Sequence, residues 1–285
     1  MKFSLKIFLA LFALSIFLIS CRTSDDPVTP PSVNELEGLA KVKEFSNDTH
    51  TIELYTVSGT TQLGYNDMKF RIKNKSNNQY EKNATVNWNP VMHMATMSHS
   101  GPKSEVTKVT PDGTLYAGYL VFQMPQNATE YWDLKFDYSI NGMAYTATTV
   151  VDVPNSLKRR VSSFLGSDNT RYIVAYIEPR TPKVAVNDMT VGVWKMQDMM
   201  TFPVVDGYTV KIDPRMPGMG NHGSPNNVNA TQTSAGKLYN GKLSLTMTGY
   251  WKINLQLANA AGTVLKGEEV TDQNPASSLF FEIEF

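Results

Sequence analysis

The sequence predicts an all-β protein built from two tandem copies of one sandwich domain. Three observations carry that expectation. First, Trp132, Leu134, Phe136 and Tyr138 alternate with Asp133, Lys135 and Asp137, and Trp251, Ile253, Leu255 and Leu257 alternate with Lys252, Asn254 and Gln256. A period of two marks strands with one buried face and one wet face. Second, blocks of sequence recur in the same order, at offsets from 119 (Trp132 to Trp251) to 124 (Pro90 to Pro214). Two copies of this size mean tandem domains rather than a solenoid. Third, no amphipathic helical pattern stands out, and turn signals punctuate the chain at Pro111-Asp112-Gly113, Asn141-Gly142 and Ala261-Gly262. About six or seven short strands per hundred residues fit an immunoglobulin-like β-sandwich.

Taken in order, residues 1–20 read as a leader. Lys2 and Lys6 give a positive start, and an apolar run from Ile7 to Ile19 follows, too short for a membrane-spanning helix. Leu18-Ile19-Ser20-Cys21 resembles the bacterial lipobox, in which the cysteine becomes the lipidated N-terminus. Cys21 is the sole cysteine, so its lipidation leaves no thiol for disulfides, catalysis or metal binding. Residues 21–40 are then the lipidated Cys and a polar tether carrying Pro27, Pro30 and Pro31. Within it, Ser24-Asp25-Asp26 resembles the acidic surface-export signal of Bacteroidetes-type lipoproteins.

The first domain is expected over residues 41–155, a polar linker over 156–170, and the second domain over 171–285. Strands are expected at 51–57, 67–73, 84–89, 115–124, 132–138 and 143–153, then at 171–177, 188–195, 207–213, 238–247, 251–257 and 281–285. Asn66-Asp67-Met68 aligns with Asn187-Asp188-Met189, Leu115-Tyr116-Ala117-Gly118 with Leu238-Tyr239-Asn240-Gly241, and Met124 with Met247. Trp132, Trp251, Met68, Met189 and Trp88 are expected in the cores. Lys158-Arg159-Arg160 reads as a solvated run.

Two loops stand apart. Residues 90–102 carry Met92, His93, Met94, Met97 and His99, and residues 214–225 carry Met216, Met219 and His222, each set between prolines. Three of the four histidines lie there. Thioether sulfur is a soft donor suited to Cu(I), and imidazole suits copper and zinc. Methionine also fills core gaps, but Gly, Pro, Ser and Asn interleave the second stretch and mark a surface loop. Met216, Met219 and His222 are spaced three and three among glycines that let the backbone turn sharply. In the first loop, Met92 and Met94 share one face if extended, with His93 on the other. Its expected donors are Met92, Met94, Met97 and His99, with His93 in reserve.

These paired Pro-x-Met, Met, His, Pro loops, each inside a β-rich repeat, resemble the YtkA-like family and the related FixH-like domains. The resemblance covers most of the chain from His50 onward. It implies small exported or membrane-tethered immunoglobulin-like sandwiches associated with copper handling, and the FixH likeness implies support for assembly of a membrane oxidase.

Composition narrows the function. The chain has 26 basic and 26 acidic residues, and loss of Lys2 and Lys6 leaves 24 against 26, a net charge of −2. No basic stripe points to nucleic acid. No Gly-x-Ser-x-Gly, His-Glu-x-x-His or phosphate loop is present, so the chain reads as a non-enzyme. Four Asn-x-Thr sequons occur, at Asn47, Asn83, Asn127 and Asn229, but a lipobox places the chain in a bacterium, where they are normally unread. The leading expectation is a lipid-anchored protein of the cell envelope, on the periplasmic or surface face of the outer membrane. It would bind copper as Cu(I), one site per domain, for handling or delivery to an envelope partner. The alternative is a surface lipoprotein of structural or recognition type, with the same sandwiches and no metal.

Overall fold

The computed structural model describes residues 34–285. The leader, Cys21 and most of the tether lie outside the described residues, and Glu35–Phe285 cluster as one compact unit.

The first copy contains β1 (Ala40–Ser46), β2 (His50–Thr56), β3 (Gly64–Asn74), β4 (Thr85–His93), β5 (Ser98–Ser100), β6 (Thr107–Lys108), β7 (Tyr116–Phe122), β8 (Tyr131–Ile140) and β9 (Met143–Val151). One antiparallel sheet runs β1-β2-β3-β7-β6 and the other β5-β4-β8-β9. Lettered along the chain, β2-β3-β7-β6 is A-B-E-D and β5-β4-β8-β9 is C′-C-F-G, the immunoglobulin-like arrangement. Alternation does the work the sequence implied: Trp132, Leu134, Phe136 and Tyr138 all face inward on β8. They meet Ile52, Leu54, Phe70 and Ile72 from the opposite sheet in one apolar core. Phe70 stands edge-on to Phe136, with ring centroids 5.0 Å apart at 78°. Such a pair adds ~0.5–1.5 kcal/mol beyond the area it buries. Asn141 and Gly142 both adopt positive φ, 51° and 80°, and close the two-residue β8–β9 hairpin by pairing Ile140 with Met143.

The second copy contains β10 (Val161–Leu165), β11 (Arg171–Glu178), β12 (Val186–Lys195), β13 (Thr209–Met216), β14 (His222–Gly223), β15 (Val228–Gln232), β16 (Tyr239–Ser244), β17 (Tyr250–Ala258), β18 (Val264–Lys266) and β19 (Phe280–Glu284). Its strands run β10-β11-β12-β16-β15-β13-β17-β18, with β14 on β13 and β19 on β17. Strand β15 pairs with both β16 and β13 and so joins the two faces that are separate sheets in the first copy.

The duplication holds at the level of register. Met68 faces Gly118 across β3–β7, and Met189 faces Gly241 across β12–β16. The Trp132 indole N–H donates to the Met124 carbonyl at 2.9 Å, and that of Trp251 donates to Met247 at 3.0 Å. Asn66 clamps Gln62 and Gly64 through its side chain, and Asn187 clamps Lys183 and Ala185 in the same way.

The structure departs from the expected linker. Residues 161–165 form β10, which pairs with β11 throughout. The basic run before it stays in contact with solvent but also lies over aromatic rings. Lys158 Nζ lies 4.6 Å from the Tyr250 ring centroid, Arg159 lies 4.2 Å from Phe280, and Arg160 lies 5.1 Å from Tyr176. Cation–π contact, the Lys158–Glu284 ion pair and the Arg159 N–H to the Glu282 carboxylate together hold the run against the sheet. The Arg159 and Glu282 backbones also bond, at 2.9 Å.

A third apolar cluster joins the copies. Val121 of the first copy is buried with Val161, Ile173, Ala175, Ile177, Trp194 and Phe202 of the second, with Tyr65 and Tyr119 packed against them. The Trp194 indole N–H donates to the Tyr119 hydroxyl at 3.4 Å.

Candidate metal centre

Strand β4 decides what the first methionine loop can do. Its side chains alternate, so Trp88, Pro90 and Met92 point inward and Val91 and His93 outward. Met92 is 0 % exposed and belongs to the first core. It opposes Trp132 on β8 and His99 on β5. The expectation that Met92 is an open donor is therefore corrected: β4 continues through residue 93, and the strand period turns that thioether into the sandwich. His93 points away, with Nε2 2.7 Å from Asp133 Oδ2 and its ring stacked on Tyr131. Trp88 is a core residue whose indole N–H donates to the Ser104 carbonyl at 3.0 Å.

After β4 the chain turns back, with the Met94 N–H donating to the Met97 carbonyl at 2.9 Å. This turn and the following strand bring Met94, Met97 and His99 to one cavity of about 350 Å³. Met124, Met196 and Met199 line the same cavity. Five thioethers and one imidazole thus face a common space, beside Gln123, Ser163 and Arg171. Met94 is partly buried against the first core, whereas Met97 is 48 % exposed at the mouth.

His99 is 8 % exposed, and its ring stands edge-on to Trp132 at 5.5 Å. Nδ1 lies 2.7 Å from the Ser100 carbonyl. A carbonyl can only accept, so Nδ1 carries the proton. Gln123 also reaches Nδ1, at 3.0 Å. The Gln123 amide also donates to the Ser100 carbonyl, at 3.4 Å. Nε2 is then left with a lone pair and has no hydrogen-bond partner among the described residues. A ring held through one nitrogen with the other free is the usual posture of a ligating histidine.

The second loop is built differently. Met216 ends β13 at 6 % exposure, inside the second core. Pro217–Met219 make a single 3-10 turn, closed by Gly220 at a φ of 64°. Met219 is 58 % exposed, and His222, the cross-strand partner of Met216, is exposed too. The expected triad is therefore split between core and solvent. The Gly and Pro punctuation marked the turn correctly but not Met216, which still belongs to the strand. Among the described residues, no three His, Cys, Asp or Glu side chains converge as a metal-binding group.

Met196 and Met199 were not expected at this cavity, because they lie about a hundred residues downstream of the first loop. The signal was present: Met196, Met199 and Met200 fall within five residues, around the turn former Asp198. Met124 served only as a strand marker aligned with Met247.

No protein-family profile matches the chain, and no curated protein is similar to it. Among solved structures, similarity extends to the FdeC adhesin of Escherichia coli at 12 % identity, over 80 % of this chain and 81 % of that one, with a TM-score of 0.23. At that score it carries no argument about fold or function.

Proposed function

We propose that this chain is an exported, lipid-anchored protein that binds Cu(I) for copper handling or delivery. The ion sits among Met94, Met97 and His99 in the methionine-lined cavity. One observation carries the reading: the turn after β4 gathers two thioethers and an unpartnered imidazole nitrogen in one cavity that further thioethers line. Neutral sulfur and nitrogen donors suit a soft monovalent ion and give little hold on Mg²⁺ or Ca²⁺, which take oxygen. Thioethers neither titrate nor form disulfides, so they stay usable in an oxidising compartment. The Ser100 carbonyl would fix the tautomer of His99 so that Nε2 remains free for metal. Arg171 also lines the cavity but is solvent-exposed, so water and salt screen its charge. Cys21 would tether the unit to the outer membrane, with a copper-receiving envelope protein as partner.

The test is an anaerobic competition titration of the full chain with a chromogenic Cu(I) chelator. The reading expects one tight equivalent, lost when Met94→Leu, Met97→Leu and His99→Ala are combined. Wild-type protein that takes no Cu(I) from the chelator leaves the sandwich as a metal-free recognition or structural module.

A further inference from the structure

The loop after β12 supplies two of the cavity's thioethers, and it belongs to the second copy. Its shape is fixed by its own bonds. The Met196 N–H donates to the Arg171 carbonyl at 2.8 Å, and the Gln197 N–H donates to the Thr201 carbonyl at 3.0 Å. Asp198 Oδ1 accepts the Met200 N–H at 2.7 Å. The loop is then tied to the first copy at one peptide unit: the Ser100 N–H donates to the Met199 carbonyl at 2.7 Å. Ser100 is fully buried, and its carbonyl is the group that orients His99. One residue therefore holds both the imidazole and the foreign loop.

We infer that the metal site is composite: Met196 and Met199 of the second copy are ligands together with Met94, Met97 and His99 of the first. Metal loading and docking of the two copies are then one linked equilibrium. This rests on the Cu(I) reading above. The second copy adds two thioethers to the first copy's donors, and an ion bound across the junction ties β5 to the 196–201 loop. Anything that binds the docked state but not the separated one stabilises docking by mass action. The same linkage gives a delivery protein a release route, because a partner that pries the junction open weakens the site.

The full chain tests this with Ag(I) as a redox-inert soft-metal probe, alongside Cu(I). Met196→Leu/Met199→Leu keeps the backbone carbonyl that Ser100 uses and nearly conserves volume. It should weaken Cu(I) affinity by more than the ~10–100-fold that loss of an outer-shell partner costs. Amide hydrogen exchange supplies a second readout. Ag(I) should slow exchange of the peptide containing Ser100 in wild-type protein and leave it unchanged in the double variant. If wild-type protein binds one equivalent and Met94→Leu/Met97→Leu abolishes it, while Met196→Leu/Met199→Leu binds with unchanged affinity, the composite site is wrong and the first-copy site stands. If wild-type protein binds neither ion, the Cu(I) reading itself falls.

Discussion

Met92 separates the two roles that methionine plays in this chain. It lies two residues from Met94 and would pass for a donor on sequence alone, yet its thioether is sealed between β4, β5 and β8 with 0 % exposure. Met92→Leu keeps the volume and removes only the sulfur, so it should cost less than about 1.5 kcal/mol and leave Cu(I) binding intact. Met92→Ala deletes the buried side chain beyond Cβ beside the rigid Trp132 indole. Large-to-small changes of this kind cost about 2–5 kcal/mol, and a site walled by an indole collapses poorly, so about 3 kcal/mol is expected. For a unit of this size that lowers Tm by roughly 6–12 °C, taking 2–4 °C per kcal/mol. Met94→Leu/Met97→Leu should do the reverse, leaving Tm nearly unchanged while Cu(I) affinity collapses. Met216→Leu/Met219→Leu should leave both the affinity and the single equivalent unchanged. The assays are thermal melting by circular dichroism and anaerobic chelator competition on the same samples. If Met92→Leu abolishes binding at unchanged Tm, the assignment of Met92 to the core is refuted.

Other outcomes follow from the same geometry. Burial pushes the Glu53 carboxyl up, but hydrogen bonds from Tyr55, Lys41, Arg71 and Tyr80 outweigh it and hold the group at about 2, against an ordinary 4.5. The folded state therefore binds fewer protons than the unfolded one, and this stability, present above about pH 4.5, is lost as pH falls toward 2. Burial likewise depresses His50 below its ordinary 6.5, against the opposing pull of Glu81, so weakening should already begin below pH 6.5. Glu53→Gln should flatten the lower limb of a Tm-against-pH curve and cost about 3 kcal/mol at neutral pH, because Arg71 loses its buried partner; an unchanged limb would exclude Glu53 as its source. A fragment of residues 34–153 should retain β-type circular dichroism but melt below the full chain, since it bares Val121, Tyr65 and Tyr119 of the junction cluster; equal Tm values would mean the junction adds nothing. Cys21→Ser should leave an unprocessed precursor or soluble protein, and an unchanged membrane fraction would sink the lipid anchor.

The fold was legible in the chain because alternation is a local signal. Trp132 through Tyr138 and Trp251 through Leu257 announce their inward faces without knowledge of any partner strand. Duplication was legible as well, since Asn66 and Asn187 repeat with their clamps. The site was read only in part. Met94, Met97 and His99 follow one another through one turn, so short-range spacing sufficed to group them. Met196 and Met199 reach the same cavity through the docking of two copies, a long-range event that no spacing encodes. Met92 and Met216 misled for a different reason: the strand period persists up to the last residue before each turn, and loop composition hides where the strand stops. The aromatic faces beneath Lys158 to Arg160 were not legible, because hydropathy does not register them.

The most direct test of the account is the X-ray absorption spectrum of the full chain loaded with one equivalent of Cu(I). The first shell should be dominated by thioether sulfur with a single imidazole nitrogen, and Met94→Leu/Met97→Leu should lose sulfur scattering. A shell of nitrogen and oxygen alone, or a spectrum unchanged by that substitution, would contradict it.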